Sequence, residues 1–112
     1  MGLFRTIETA GGIHFIIGMI GRDPTGKVVE GGIARQTAVT LDRIEAELKQ
    51  KGRDRSSIVR LRFFVVDMRL WPLAREVAKE FFDGSIPPST AVGVTGLVEP
   101  EVLIEIEAEA AA

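Results

Sequence analysis

The spacing of apolar residues changes along this chain, and each change marks an element. Leu3 to Thr9 mixes apolar and polar residues in near alternation and ends at Gly11-Gly12. His14 to Ile20 is apolar and β-branched, so the two segments read as strands joined by the glycine turn. Gly18 lies inside the second strand, where a glycine marks a bulge, a close approach of ligand or backbone, or room for a neighbouring side chain. Asp23-Pro24-Thr25-Gly26 is a tight turn, with one short extra strand near Val28. Between Gly32 and Gly52 the period becomes helical: Ile33, Thr37, Leu41, Ile44 and Leu48 form one stripe, while Arg35, Gln36, Asp42, Arg43, Glu45, Lys49 and Gln50 fall on other faces. Gly52 supplies the stop.

Asp54-Arg55-Ser56-Ser57 reads as a polar loop with a single helical turn, and Ile58 to Asp67 as a central strand. Strict alternation puts Val59, Leu61, Phe63 and Val65 on one face and Arg60, Arg62, Phe64 and Val66 on the other. Asp67 is placed to cap the next helix, Pro72 suits a first helical turn, and Trp71, Ala74, Ala78 and Phe81 form a stripe widened by Val77 and Phe82. That helix stops at Asp83-Gly84. Pro87 and Pro88 cannot donate to a ladder, so the next strand begins only at about Ser89 and runs to Val94. Leu97 to Glu101 is a loop, and the last strand is Val102 to Ala110. There Val102, Ile104, Ile106 and Ala108 point one way and Leu103, Glu105, Glu107 and Glu109 the other.

This order predicts an α+β protomer with both helices on one face of the sheet. The other face carries Phe64, Val66 and Leu103, too apolar for water in a small domain, so association with copies of the same chain is expected.

Composition narrows the chemistry. The 112 residues fit one domain, 1–112, because domains typically run to roughly 100–150 residues. With no cysteine there is no thiolate site, and the single His14 forms no histidine cluster, so no thiolate or histidine-cluster metal site is expected. His14 itself reads as structural. A net charge of −2 supplies no field for nucleic acid. No apolar run approaches the roughly 20 residues of a membrane span. Met1-Gly2-Leu3-Phe4-Arg5 lacks the basic-then-apolar layout of a secretion signal, so a cytoplasmic protein is expected.

Several segments together resemble the RidA/YjgF family, also labelled reactive-intermediate deaminases or L-PSP endoribonucleases. They are Ile20-Gly21 leading to Thr25-Gly26, Gly31-Gly32-Ile33 with Gln36-Thr37, Ile58-Val59, Phe64-Val65-Val66-Asp67, Phe81-Phe82, Pro87-Pro88-Ser89-Thr90-Ala91-Val92 and Ile104-Glu105-Ile106-Glu107-Ala108. The resemblance implies a chorismate-mutase-like mixed sheet, a homotrimer with a central barrel, and small-molecule clefts between subunits. It also implies hydrolysis of 2-imino or enamine acids to 2-oxo acids without metal or organic cofactor.

The resemblance assigns site residues as well. Glu105 matches the glutamate that positions or activates the attacking water, and the alternative is a solvated row with Glu107 and Glu109. Ser89 occupies the position of an arginine that holds the substrate carboxylate. It is either a remnant of that site or a hydroxyl bonding its own backbone. Ile17 precedes Gly18 where the family has a serine, and Ala91 stands where a cysteine is often found. Main-chain groups near Gly18 and Thr90 would hold developing charge. Arg75, on the second helix, either restores the lost guanidinium or is an exposed helix arginine. Arg62 reads as structural, facing a second subunit or an acid there. The functional expectation is deaminase-like hydrolysis on a substrate other than the usual 2-imino acid; the alternatives are a non-catalytic binding trimer and an endoribonuclease or translation inhibitor.

Overall fold

The computed structural model describes residues 2–112. Its elements in order are strand β1 (Ile7–Ala10), strand β2 (Ile13–Met19), helix α1 (Gly32–Gln50), strand β3 (Ile58–Val65), helix α2 (Trp71–Phe81), strand β4 (Ser89–Gly93) and strand β5 (Ile104–Ala111). They build one five-stranded sheet in the order β1-β2-β5-β3-β4. It is mixed: β3 and β4, joined through α2, run parallel, and the other neighbours are antiparallel. Gly11 and Gly12, both at positive φ (58° and 78°), close the two-residue β1–β2 hairpin.

The α1 stripe packs as its spacing requires. Leu41, Ile44 and Leu48 are fully buried against Leu61, Phe63 and Val65 of β3 and Ile104 and Ile106 of β5. Each such side chain contributes about 1.5–3 kcal/mol by leaving water. Ala74 and Ala78 keep α2 close to the same layer, and the Trp71 ring meets Phe63 edge-on at 4.9 Å. Two polar residues that the period put outside the stripe are buried because distant partners satisfy them. Gln36 donates from Nε2 to the Glu101 carbonyl and accepts the Leu103 N–H, both at 2.9 Å, which ties the β4–β5 connection to α1. Glu45 is gripped by the Arg55 guanidinium at 3.0 and 2.7 Å, and Arg55 also caps α2 by donating to Phe81 O at 2.7 Å while lying 3.8 Å over that ring.

Some boundaries differ from the sequence expectation. The first strand starts at Ile7 rather than Leu3, because Ile7 opposite Ile16 is the first paired position and Leu3 and Phe4 are exposed. Val28 makes only an isolated bridge with Arg22. Val59 does not face the core and is 45% exposed. Two steps along β3, from Ile58 to Arg60, oppose one step along β5, from Ala110 to Glu109. This bulge turns Val59 outward and brings Ile58 inward beside Leu61. Asp67 caps a 3-10 turn, Met68–Leu70, that precedes α2.

The helices leave the second sheet face open. It carries Phe15, Phe64 and Val92 among Arg62, Glu105, Glu107 and Glu109, with Phe15 and Val92 exposed. Among the described residues no helix is long and apolar enough to cross a membrane.

Candidate functional site

The site begins with a second bulge. Ile16 pairs with Ala108 and Met19 with Ile106, so three steps along β2 oppose two along β5. The extra residue falls at Ile17-Gly18, beside Glu105. A Cβ added to Gly18 would land on Glu105 Oε2 and stand 3.0 Å from Glu105 Cδ. The glycine therefore leaves room for the carboxylate to lie across the backbone at this point, and a side chain here would displace it. Of the readings open for Gly18, close approach at a bulge is the one the structure shows.

The three glutamates of β5 then part company. Arg62 Nη1 bonds Glu109 at 2.7 Å and Glu107 at 3.1 Å, across the β3–β5 ladder. Among the described residues Glu105, opposite Phe64 in that ladder, has no such cation or hydrogen-bond donor. Burial pushes its carboxyl above the ordinary glutamate range, and the nearby Glu107 charge adds to the shift. The row is thus not uniformly solvated: two members are ion-paired, and one is a desolvated carboxylate able to accept a proton from water.

A cavity of about 730 Å³ lies over this carboxylate. Leu3, Phe4, Ile17, Ile20 and Val98 supply apolar wall, and Arg22, Arg43 and Glu105 supply charge. Arg22 donates to the Gly26 carbonyl and pairs with Glu99. Arg43 donates to the Ile20 carbonyl at 2.6 Å.

Within one chain, the structure unites Ile17, Gly18 and Glu105 in this cavity, and not the other expected residues. Ser89 is level with Leu61 and Thr90 with Arg62 on β4, which β3 separates from β5. The Ser89 hydroxyl donates to Pro87 O at 2.7 Å, the local backbone bond that was one of its two readings. Arg75 is exposed on α2, a helix packed against the opposite face of the sheet, and does not line the cavity. His14 is buried, with Nδ1 2.7 Å from the Thr9 hydroxyl, so it is engaged structurally. Arg22, Arg43 and Phe4 went unnoticed in the sequence. Arg22 comes just after a strand end and beside a turn signal, Phe4 precedes the first pairing, and Arg43 falls outside the helical stripe, so none carries a local mark of a cavity.

The model of the family described as Endoribonuclease L-PSP matches residues 4–112. The chain belongs to the RidA/YjgF family. A RutC family protein of Pyrococcus horikoshii is 39% identical over 109 residues, covering 96% of this chain and 86% of that one. The 2-iminobutanoate/2-iminopropanoate deaminase of Homo sapiens is 32% identical over 97 residues, covering 86% of this chain and 70% of the enzyme. Among solved structures, the Rid family protein YyfA of Yersinia pestis superposes with a TM-score of 0.92 at 30% identity, over 100% of this chain and 90% of that one. TdcF of E. coli, solved with bound serine, gives 0.91 at 27% identity, over 100% and 90%. The residue pattern predicted an α+β fold with two helices on one face and the family resemblance implied a mixed sheet, and the structure has both.

Proposed function

We propose that this RidA/YjgF protein hydrolyses a small imine or enamine metabolite in the Glu105 cavity, and that its substrate is not the usual 2-imino acid. The observation behind this reading is the separation of Glu105 from its neighbours. It is the desolvated, unpaired carboxylate of the row, held against Gly18 at the edge of a mainly apolar cavity. The deaminase relatives supply the reaction class.

In that reaction Glu105 takes a proton from water as the water oxygen bonds to the imine carbon, and the C=N π pair moves to nitrogen. That proton passes on to nitrogen to give a carbinolamine; Glu105 then carries the carbinol hydroxyl proton to nitrogen as the C–N bond breaks, so ammonia leaves and a carbonyl remains. A carboxylate with a raised pKa suits both transfers, since it holds the proton better than an ordinary glutamate. The position resembling the carboxylate-binding arginine is Ser89, whose hydroxyl is turned to Pro87 O. A neutral hydroxyl there forfeits the charge-assisted fork that holds a 2-imino acid.

The open sheet face supports assembly. Phe15 and Val92 are exposed beside the Arg62–Glu107–Glu109 cluster, and a homotrimer closed through this face would bury them and bring β4 of one subunit toward the cavity of the next. Light scattering should give three times the 12.2 kDa chain mass; a stable monomer removes the intersubunit cleft from the proposal.

The deciding assay offers imines generated in place by an amino-acid oxidase, alongside a panel of other imines and enamines, and follows their loss. Glu105-dependent hydrolysis of a panel member, with weak action on simple alkyl 2-imino acids such as 2-iminobutanoate, is the expected result. Fast Glu105-dependent hydrolysis of those simple 2-imino acids would overturn the substrate distinction. Binding without turnover across the panel would instead favour a non-catalytic binding trimer, a reading motivated by Ser89 in the arginine position. The endoribonuclease reading draws nothing from the one histidine, which is buried and engaged by Thr9.

A further inference from the structure

Two arginines line the Glu105 cavity, and their guanidinium groups are held differently. Arg22 is occupied by Glu99 and by the Gly26 carbonyl. Arg43 is half-buried on α1 and donates from Nη1 to a single main-chain oxygen, that of Ile20. Among the described residues no carboxylate pairs with it. A guanidinium has five N–H donors in a fixed fork, so one backbone bond orients the head and leaves most of the fork unused. The more buried apolar wall at Ile17 and Ile20 lowers the local dielectric beside it and strengthens any charge pairing made there.

The arginine and the glutamate form separate poles. Glu105 is anchored against Gly18 on the open sheet face, whereas Arg43 reaches the cavity from α1, packed on the other face, and is held at the Ile20 carbonyl. Burial and Glu107 raise Glu105, where a neighbouring guanidinium would draw it down. The cavity therefore offers a proton acceptor at one position and an anion-binding fork at another.

We propose that Arg43 is the anion-recognition residue of this cavity and that its ligand is a small 2-oxo or 2-imino compound with a second, distal anionic group. That group, a carboxylate or a phosphate, is set off by a short spacer from the carbon that meets Glu105. This rests on the reading of the Glu105 cavity as the reacting site. It gives the missing charge at position 89 a consequence: recognition moves from the α-carboxylate to the far end of the molecule.

The test is calorimetric titration of 2-oxoglutarate, phosphohydroxypyruvate and 2-oxobutanoate into the wild type and into Arg43→Met, Arg43→Lys, Arg22→Gln and Glu105→Gln. A charge-assisted contact predicts that Arg43→Met weakens the two distal-anion probes roughly 10- to 100-fold. Arg43→Lys should recover part of that loss, and Arg22→Gln should lose less than Arg43→Met because Arg22 is already paired. Circular dichroism and the melting temperature of Arg43→Met show whether it is folded, and 2-oxobutanoate should lose less affinity than the two distal-anion probes; if the variant is not folded, Arg43→Lys against wild type decides. The stronger of the two distal-anion probes distinguishes carboxylate from phosphate. If Arg43→Met and Arg43→Lys bind all probes like the wild type while Glu105→Gln alters them, the cavity reading stands and the Arg43 proposal fails. If no probe binds, the Arg43 proposal falls alone, because the Glu105 reading is decided by imine hydrolysis; if the probes bind and neither Glu105→Gln nor the Arg43 variants matter, both fall.

Discussion

Replacing Gly18 by alanine separates what this glycine does for the fold from what it does for the site. The added methyl would coincide with Glu105 Oε2 and crowd Cδ at 3.0 Å and Cγ at 3.3 Å. Those atoms belong to the far part of a flexible side chain beside an open cavity, so the carboxylate can swing aside. Holding Glu105 off its preferred rotamer costs about 0.5–1.5 kcal/mol. Against this, Gly18 has no positive φ, and replacing such a glycine by alanine stabilises by about 0.4–1 kcal/mol through the unfolded chain. The two nearly cancel, so Gly18→Ala should melt close to the wild type. Activity should not survive as well, because a misplacement of about 1 Å at a reacting group costs on the order of 10²-fold.

The assay pairs urea melts with imine hydrolysis in wild type, Gly18→Ala, Glu105→Ala and the double variant. Truncating Glu105 removes the collision, so the steric penalty of Gly18→Ala should vanish in the Glu105→Ala background, leaving only the unfolded-chain gain. Gly18→Ala with wild-type turnover would refute the claim that the bulge fixes the carboxylate. A loss of stability that persists without the Glu105 side chain would show that the glycine serves the backbone instead.

Three further outcomes rest on the same geometry. Arg55→Leu strands the nearly buried Glu45 and uncaps α2; with the Arg55 side chain 39% exposed, the cost should be about 2–3 kcal/mol in urea unfolding. Arg55 holds the Glu45 carboxyl below its ordinary range, so the stabilisation is present above the unfolded-state value and lost as pH falls through the depressed one; the gap to wild type should shrink in acid. For Glu105 the sign reverses: its raised folded value means stability present in acid is lost as pH rises through that value, so Glu105→Gln should out-melt wild type at neutral pH and match it in acid, while wild-type turnover climbs over the same interval. Ser89→Arg, at an exposed position whose hydroxyl serves only the Pro87 carbonyl, should raise kcat/KM for 2-imino acids by roughly 10- to 100-fold, and no gain would show that position 89 is not where their carboxylate is read.

The legibility of each feature in the sequence depends on the range of the interactions that set it. The α1 stripe and the β5 alternation are local periodicities, and every residue assigned to their inward faces is buried. Val59 was misplaced because its orientation is set by a bulge against Ala110 and Glu109, some fifty residues later in the chain. Gln36 and Glu45 looked solvated because their partners, the Glu101–Leu103 backbone and Arg55, lie outside the helix. Resemblance to a family pointed to Glu105 and Gly18, and pairing explains why they meet. Arg43 had neither aid: a polar residue off the stripe looks like every other solvated helix position until the Ile20 carbonyl is found at its guanidinium.

The β5 glutamates show how one repeating pattern yields unlike chemistry. Alternation alone sets Glu105, Glu107 and Glu109 on the same face with equal claims to water. One arginine on β3, in register with Glu107, also reaches Glu109 and binds both. Its reach does not extend to Glu105, whose ladder partner is Phe64. On the other side, the extra residue in β2 places a glycine where any side chain would collide with that carboxylate. Glu105 is left with an aromatic neighbour, a bare backbone and a like charge, and all three disfavour ionisation. The proton-accepting group thus arises by subtraction. The ladder removes two carboxylates into ion pairs, and the third is left partly desolvated at the bulge with no cation beside it.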